Sequence, residues 1–282
     1  MKTDKNGNTP AGNRFLLLIV LLLFSIGRTA AQSDEKARLF RIGAGLGYSF
    51  TEYREDTDLP INRNVHSVSF AIDSAIETGN FFHLINAGFF TGKSDGIATY
   101  PYSFVWDIPS DPDERHFAFY SKEDIFTRVY AQYALGYQVW GNKAFPGYVG
   151  GALRGDFYII DTLNNPLYRK ITGIFSLGVH AAQKWIVNAN NAFVLTVEVP
   201  FFGYALRPSY IGTSYPIETG ITSFHNHWAV FSELKYHYNI NALISLNAGF
   251  DFEFSRIEFP HPGKDMIFNI NLGIAFTFQE KK

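Results

Sequence analysis

The last regular stretch of the chain alternates strictly between large apolar residues and small or polar ones. From Met266 to Phe278 every even position is apolar, and the odd positions after Ile267 are asparagine, glycine, alanine or threonine. Because successive side chains of a β-strand point to opposite faces, this pattern predicts a strand with one fully apolar face. The alternation lasts thirteen residues, whereas a strand that crosses a bilayer at a tilt needs only about 9–11.

The same alternation recurs throughout residues 40–278 and predicts ten strands. In the first of them, Phe40 to Phe50, the even positions are apolar or aromatic, apart from a small alanine, and the odd positions are mostly glycine. The predicted strands begin at or near Phe40, His66, Phe81, Ile125, Val149, Ile171, Phe193, Phe224, Ile244 and Met266. One apolar face on almost every strand indicates a wall with lipid outside and a polar lumen inside.

Short and long connections alternate between these strands. Tight turns are predicted near residues 78, 143, 189 and 240. Longer loops are predicted over residues 51–64, 92–116, 161–168, 205–222 and 260–265. This asymmetry is typical of bacterial barrels, whose periplasmic turns are short and whose outer loops are long.

The sequence therefore predicts an all-β fold, a transmembrane antiparallel up-and-down β-barrel of about ten strands with both termini in the periplasm. A further hairpin within residues 92–124 would raise the number to about twelve. Aromatic residues on the predicted outer face gather at both ends of the strands, as membrane interfaces favour. At the turn end these include Tyr137, Trp185, Phe193, Tyr236 and Phe276, and at the loop end Tyr48, Phe50, Phe157, Phe224 and Phe254.

The N-terminus has the pattern of a secretory signal peptide. A positively charged start precedes an apolar run at residues 15–26, and small residues at 29–31 suit cleavage. The run is too short to span a bilayer as a helix. We therefore expect residues 1–31 to be a signal peptide and residues 32–282 to be the barrel domain.

Composition excludes several classes of function. The chain has no cysteine, which removes disulfides, zinc–thiolate sites and cysteine nucleophiles. A formal net charge of −2 does not indicate a nucleic-acid partner. No nucleotide-binding motif occurs, so neither a cofactor nor a metal is expected.

The leader, the alternating strands and the aromatic close at Phe276 and Phe278 resemble those of bacterial outer-membrane β-barrel proteins. The resemblance implies a location in the outer membrane, with outer-membrane lipid as surroundings. It also implies that Phe276 and Phe278 form the insertion signal read by the barrel-insertion machinery. The chain departs from the class in continuing past the last aromatic residue, through residues 279–282.

Histidine and glutamate residues lie on the inward faces of strands that are joined by tight turns. Such turns hold the register of their strands nearly constant. On this basis His180 is predicted to lie opposite Glu198, and His227 opposite Glu253.

Further charged residues lie two apart on a single inward face. Arg154 and Asp156 form one such pair, and Glu233 and Lys235 form another. Opposite charges in a narrow lumen neutralise one another without leaving a buried charge unpaired. These eight residues are therefore candidates for lumen ion pairs, which would either plug the barrel or line a narrow water-filled pore.

A hydrolase is the alternative. Outer-membrane proteases of the omptin type use acidic residues and a histidine, and lipid A deacylases use a serine and a histidine. His225 and His227 lie at the outer end of the predicted eighth strand, and residues 107–114 are rich in acids. A histidine with a carboxylate at the extracellular rim could activate water. His66 and Ser67 are adjacent and point to opposite faces, so they cannot form a dyad with each other.

The balance of these observations favours a non-enzymatic integral outer-membrane barrel. Its role would be structural, surface contact with an extracellular ligand at the loops, or passage of small solutes through a narrow channel. No catalytic residue is predicted on this interpretation.

Overall fold

The computed structural model describes residues 38–56, 60–95, 124–162, 170–208, 217–260 and 262–280, which form eleven strands. The strands are β1 (Arg38–Asp56), β2 (Pro60–Thr78), β3 (Phe81–Asp95), β4 (Asp124–Trp140), β5 (Gly147–Thr162), β6 (Lys170–Ile186), β7 (Asn191–Pro208), β8 (Ile217–Ser223), β9 (His227–Asn239), β10 (Ile244–Ile257) and β11 (Gly263–Glu280). Among these residues no helix is long and apolar enough to cross a bilayer.

Neighbouring strands pair antiparallel, and the ring closes between the first strand and the last. β1 and β11 pair along nearly their whole length, with Phe40 opposite Phe278. Two strands pair with the same edge of β7, one after the other along its length. β9 pairs with Asn191–Glu198 of β7, and β8 pairs with Phe202–Pro208. β8 and β9 thus share one position, and the described strands form a closed ring of ten positions. The predicted all-β barrel of about ten strands is confirmed.

The strands are staggered around the ring. Stepping between directly opposite residues once around it leads from Leu39 to Thr51 on the same strand, a stagger of twelve residues. Closed barrels need such a stagger, which accompanies a strand tilt of about 35–45°. Residues at one height in the lumen are therefore not those that lie opposite one another on neighbouring strands.

Exposure alternates along β11 as the sequence predicts. Ile270, Leu272 and Ile274 are exposed on the outer wall, whereas Asn269 and Ala275 are buried. Large apolar side chains are exposed in the same way on each of the described strands. A continuous apolar exterior of this extent suits contact with lipid, because soluble proteins rarely expose large apolar patches.

The strands continue further towards the loop end than predicted. The predicted loop at 51–64 is wrong, since β1 continues to Asp56 and β2 begins at Pro60. β3 likewise continues to Asp95, and the rest of the predicted break at 92–116 lies outside the described residues. Beyond the lipid band a strand needs no apolar face, so its polar sequence is indistinguishable from that of a loop.

The predicted eighth strand begins three residues later in the structure, at His227 of β9. Residues 224–226 form a turn between β8 and β9, and all of β8 except Ser223 lies within the range predicted as a loop. Asn226 stabilises the turn, because its side-chain oxygen accepts a hydrogen bond from the Ser223 N–H at 2.7 Å. Among the described strands β8 pairs with β7 alone, so its other edge is free of a neighbouring strand.

Aromatic side chains from β3, β4 and β5 fill part of the lumen. Phe82 stacks on Tyr148 with the ring centroids 5.1 Å apart. Phe126 packs with Val65 and Tyr158 nearer the loop end. These inward rings explain why the alternation in β3 is weak in the sequence, where both faces of the strand carry phenylalanine.

Candidate functional site

Four buried charged residues meet in the lumen and form what we call the central cluster: Arg128 on β4, Arg154 and Asp156 on β5, and Glu253 on β10. Arg128 Nη2 lies 2.5 Å from Asp156 Oδ1 and 2.5 Å from Glu253 Oε2. Arg154 Nε lies 2.7 Å from Asp156 Oδ2, and its Nη2 lies 3.0 Å from Glu253 Oε2. Each arginine therefore contacts both carboxylates, and the formal charges of the cluster sum to zero.

The central cluster spans the barrel. β4 and β10 are five positions apart in the ring of ten that the described strands form, so they lie on opposite walls. A direct contact between Arg128 and Glu253 consequently crosses the whole lumen. Charge-assisted hydrogen bonds of this kind are roughly twice as strong as neutral ones, and they hold the two walls together.

Aromatic rings surround the two guanidinium groups. The Arg154 guanidinium carbon lies 3.8 Å from the centroid of the Phe231 ring and 5.0 Å from that of Tyr130. The Arg128 guanidinium lies 5.1 Å from the Tyr158 ring centroid. Cation–π contacts in desolvated sites contribute about 2 kcal/mol. The rings thus replace part of the hydration that the arginines lose on burial.

Other polar contacts cross the lumen above and below the central cluster. Each joins strands that are three to five positions apart in the ring. The contacts are Lys184 Nζ to Glu77 Oε1 at 2.6 Å, Lys235 Nζ to Asp73 Oδ1 at 3.5 Å, Gln132 Nε2 to Glu198 Oε2 at 2.5 Å, and the Tyr158 hydroxyl to Asp265 Oδ2 at 3.1 Å. The described part of the lumen is therefore bridged at several heights.

Small cavities lie between these bridges. Two cavities in the lumen measure about 10 Å³ and about 30 Å³. A single water molecule needs at least about 10–15 Å³ by the same measure. Each of these two cavities therefore suits one or two water-sized bodies.

The structure brings most of the predicted lumen residues into ion pairs. Arg154 contacts Asp156 and Glu253 within the central cluster. Lys235 Nζ lies 2.7 Å from Oε1 of Glu233, its predicted partner on the same strand. Both pairs are buried or nearly so, as their inward positions imply.

His180 lies directly opposite Glu198, at the predicted register. The two side chains are not hydrogen bonded to each other, because Glu198 accepts from Gln132 and neither ring nitrogen of His180 has a partner among the described residues. The register was predictable because the turn between their strands is short and is centred close to its predicted position.

The predicted pairing of His227 with Glu253 is wrong. His227 lies opposite Ile257, and Glu253 lies opposite Phe231. The turn between β9 and β10 comprises four residues, 240–243, and Asn241 caps it by accepting hydrogen bonds from two backbone N–H groups. A turn centred further along the chain shifts the register by four residues.

Arg128 is the member of the central cluster that sequence reasoning missed as a site residue. Its inward position is apparent from the alternation of β4, but its partner Glu253 is 125 residues away. Local register arguments do not reach across the lumen. An inward arginine on one wall and an unpaired inward acid on the opposite wall would have been the signal.

The two histidines that the sequence places together, His225 and His227, have different surroundings in the structure. His225 is exposed in the turn, where its Nδ1 lies 2.6 Å from Ser223 Oγ, while His227 is buried. The acidic residues at 107–114 lie outside the described residues. Within the described ranges no group of three histidine, aspartate or glutamate side chains is arranged to hold a metal ion.

The architecture is similar to that of solved outer-membrane proteins. The outer membrane protease OmpT of Escherichia coli matches with a TM-score of 0.51 and 6% identity, over 88% of this chain and 99% of that one. The fold of this chain is that of a bacterial outer-membrane β-barrel. An outer membrane channel of Pseudomonas putida F1 matches this barrel with a TM-score of 0.43 and 10% identity, over 87% of this chain and 97% of the other.

Similarity to other proteins extends to the fold alone. Ail, the attachment invasion locus protein of Yersinia pestis, matches with a TM-score of 0.32 and 10% identity, over 85% of this chain and 99% of that one. No protein-family model and no curated protein match the sequence. The activity of this barrel must therefore be inferred from its own residues.

Proposed function

We propose that this protein is a closed, non-enzymatic barrel of the outer membrane whose role is structural or lies in contacts made at its loop end. The observation that carries the proposal is the direct bridge between Arg128 and Glu253 across the lumen. The bridges at several heights and the two cavities of only about 10 and 30 Å³ support a lumen that is closed to a diffusing solute. The predicted signal peptide at residues 1–31 supports export to this membrane.

The loop end supports a role in surface contact. β1 continues six residues beyond Phe50, the last aromatic residue of its outer face in the lipid band. We infer that the paired ends of β1 and β2 extend past the lipid on the loop side and form a rim above the membrane. The aromatic and acidic residues of the predicted loop at 92–116 lie outside the described residues and remain candidates for contact with an extracellular ligand.

Conductance distinguishes the closed barrel from a narrow channel. We expect the refolded protein to produce no discrete current steps in a planar bilayer, because the central cluster closes the lumen. A porin refolded in the same way serves as the positive control, and protease protection verifies insertion of both proteins. Discrete steps from the wild-type protein would contradict the proposal.

A hydrolase is the second candidate, favoured by one observation. Ser223 Oγ and His225 Nδ1 lie 2.6 Å apart at the exposed turn between β8 and β9, which is a distance suited to a nucleophile and its base. Their neighbours Phe224 and Trp228 are exposed, so an ester in the outer leaflet could reach the pair. Among the contacts of the described residues, no carboxylate orients the histidine.

Hydrolysis of ester substrates tests the second candidate directly. If Ser223 is a nucleophile, the wild-type protein releases fatty acid from phospholipid or lipid A vesicles and Ser223→Ala abolishes the release. Thr219→Ala on β8 is a matched control, since it removes an exposed hydroxyl with no histidine partner among the described contacts. No release by the wild-type protein excludes the pair as a catalytic site for these lipids.

A further inference from the structure

The two lumen cavities are parts of one small chamber. Both are lined by Asn86, Tyr130, Glu233 and Asp251, so they adjoin at these residues. The chamber lies beside the central cluster, since Arg154 and Glu253 also line its larger part. At about 30 Å³, that part suits one water-sized body.

The lining of the chamber carries an excess of negative charge. Five of its residues are acids, whereas two are cations. The acids are Asp73, Glu198, Glu233, Asp251 and Glu253, and the cations are Arg154 and Lys235. Arg154 and Glu253 already neutralise one another within the central cluster, whose formal charges sum to zero. Lys235 forms ion pairs with both Asp73 and Glu233. Glu198 and Asp251 therefore have no cationic partner among the described contacts.

Two of the acidic oxygens have no hydrogen-bond partner among the described residues. They are Glu198 Oε1 and Asp251 Oδ1. Glu198 is 2% exposed and lines the larger part of the chamber, where its other oxygen accepts a hydrogen bond from Gln132. A buried ionised carboxylate without compensation is costly, so a positive body in the chamber would stabilise the fold.

The pair formed by Asp251 and Glu233 increases the need for a positive charge in the chamber. They lie directly opposite one another on β10 and β9, an arrangement in which like charges are destabilising. Asp251 Oδ2 accepts hydrogen bonds from Asn269 at 2.6 Å and from Asn271 at 3.1 Å. Those amides satisfy one oxygen and leave Oδ1 for a ligand.

We propose that the chamber binds a small monovalent cation of the sodium type, held by the carboxylates of Glu198 and Asp251 and by neighbouring amide and hydroxyl oxygens. Hard cations prefer oxygen ligands, which this lining supplies. The described residues contain no group of three histidine, aspartate or glutamate side chains arranged to hold a metal ion, so the proposed site has two carboxylate ligands and its other ligands are neutral oxygens. The site goes beyond the proposed function, because a closed barrel would remain closed without it.

Cation-dependent thermal stability tests the site in the refolded full-length protein. Sodium chloride is compared with choline chloride at equal ionic strength, because choline is too large for a cavity of about 30 Å³. We expect the unfolding midpoint to rise with sodium concentration by about 3 °C relative to choline, a shift of the size that ligand binding produces in a domain of this length. Glu198→Gln and Asp251→Asn should each abolish the difference.

Glu258→Gln is the matched control, since Glu258 is exposed and lies outside the chamber. It should retain the full difference between sodium and choline. Equal midpoints of the wild-type protein in the two salts would overturn the proposal. Stabilisation by acid alone, with no effect of sodium, would also overturn it and would show that protons neutralise the acids. Neither outcome bears on the conductance test, so the two proposals fail independently.

Discussion

Replacement of Glu253 by alanine is expected to lower the free energy of unfolding by about 3–5 kcal/mol, the range for removing one partner of a buried ion pair. Glu253 is 8% exposed, and its carboxylate neutralises Arg128 and Arg154 from the opposite wall. Without it, Asp156 alone faces two buried guanidinium groups. Urea unfolding in lipid vesicles, followed by the fluorescence of the four tryptophans, measures the loss.

Glu258→Ala is the control for this substitution. Glu258 pairs with Arg256 at 2.7 Å on the same strand end, but the two side chains are 47% and 61% exposed. Surface pairs contribute about 0–1 kcal/mol, so this variant should remain close to the wild-type protein. If both glutamate variants lost the same small amount of stability, the central cluster would not hold the walls of the barrel together.

Replacement of Leu272 by arginine is expected to destabilise the protein in lipid vesicles by about 2–4 kcal/mol, the range for arginine at the bilayer midplane of a barrel. Leu272 is 66% exposed on the outer wall and lies opposite Leu46 and Ala248, near the middle of β11. The expected loss arises from burying a guanidinium in hydrocarbon, and urea unfolding in the same vesicles measures it.

Met266→Arg provides the comparison for depth. Met266 lies on the same face of β11, nearer the loop end and opposite Glu52 and Phe254. Close to an interface the cost of arginine falls to about 0–1 kcal/mol. Small and equal effects at the two positions would contradict the assignment of the outer wall to lipid.

Closure of the barrel was predictable because it depends on patterns that are local in the sequence. The alternation of β11 defines an outer and an inner face, and its need for two neighbours leads to pairing with β1. The pairing of His180 with Glu198 is local in the same sense, since a short turn determines their register. Where the turn is centred further along the chain than predicted, as between β9 and β10, the same reasoning pairs His227 with Glu253, four residues away from its actual partner Ile257.

The strand ends were less predictable than the strand centres. Lipid requires an apolar face only within its own thickness, so the pattern disappears where β1 and β2 rise above it. The turn at residues 224–226 is stabilised by the side chain of Asn226, whose oxygen accepts a hydrogen bond from the Ser223 N–H. A sequence pattern with period two contains no signal for such a turn at the start of a strand.

The sequence by itself determined the fold class, the faces of the strands and the sign of the charges that point inward. Only the tertiary structure decided which of those charges meet, because the stagger of twelve residues and the ten positions of the ring bring residues from distant strands to one height. Arg128 and Glu253 meet for this reason, although 125 residues separate them. Their contact bridges two opposite walls of the barrel, and it is needed because a buried charge without a partner is strongly destabilising.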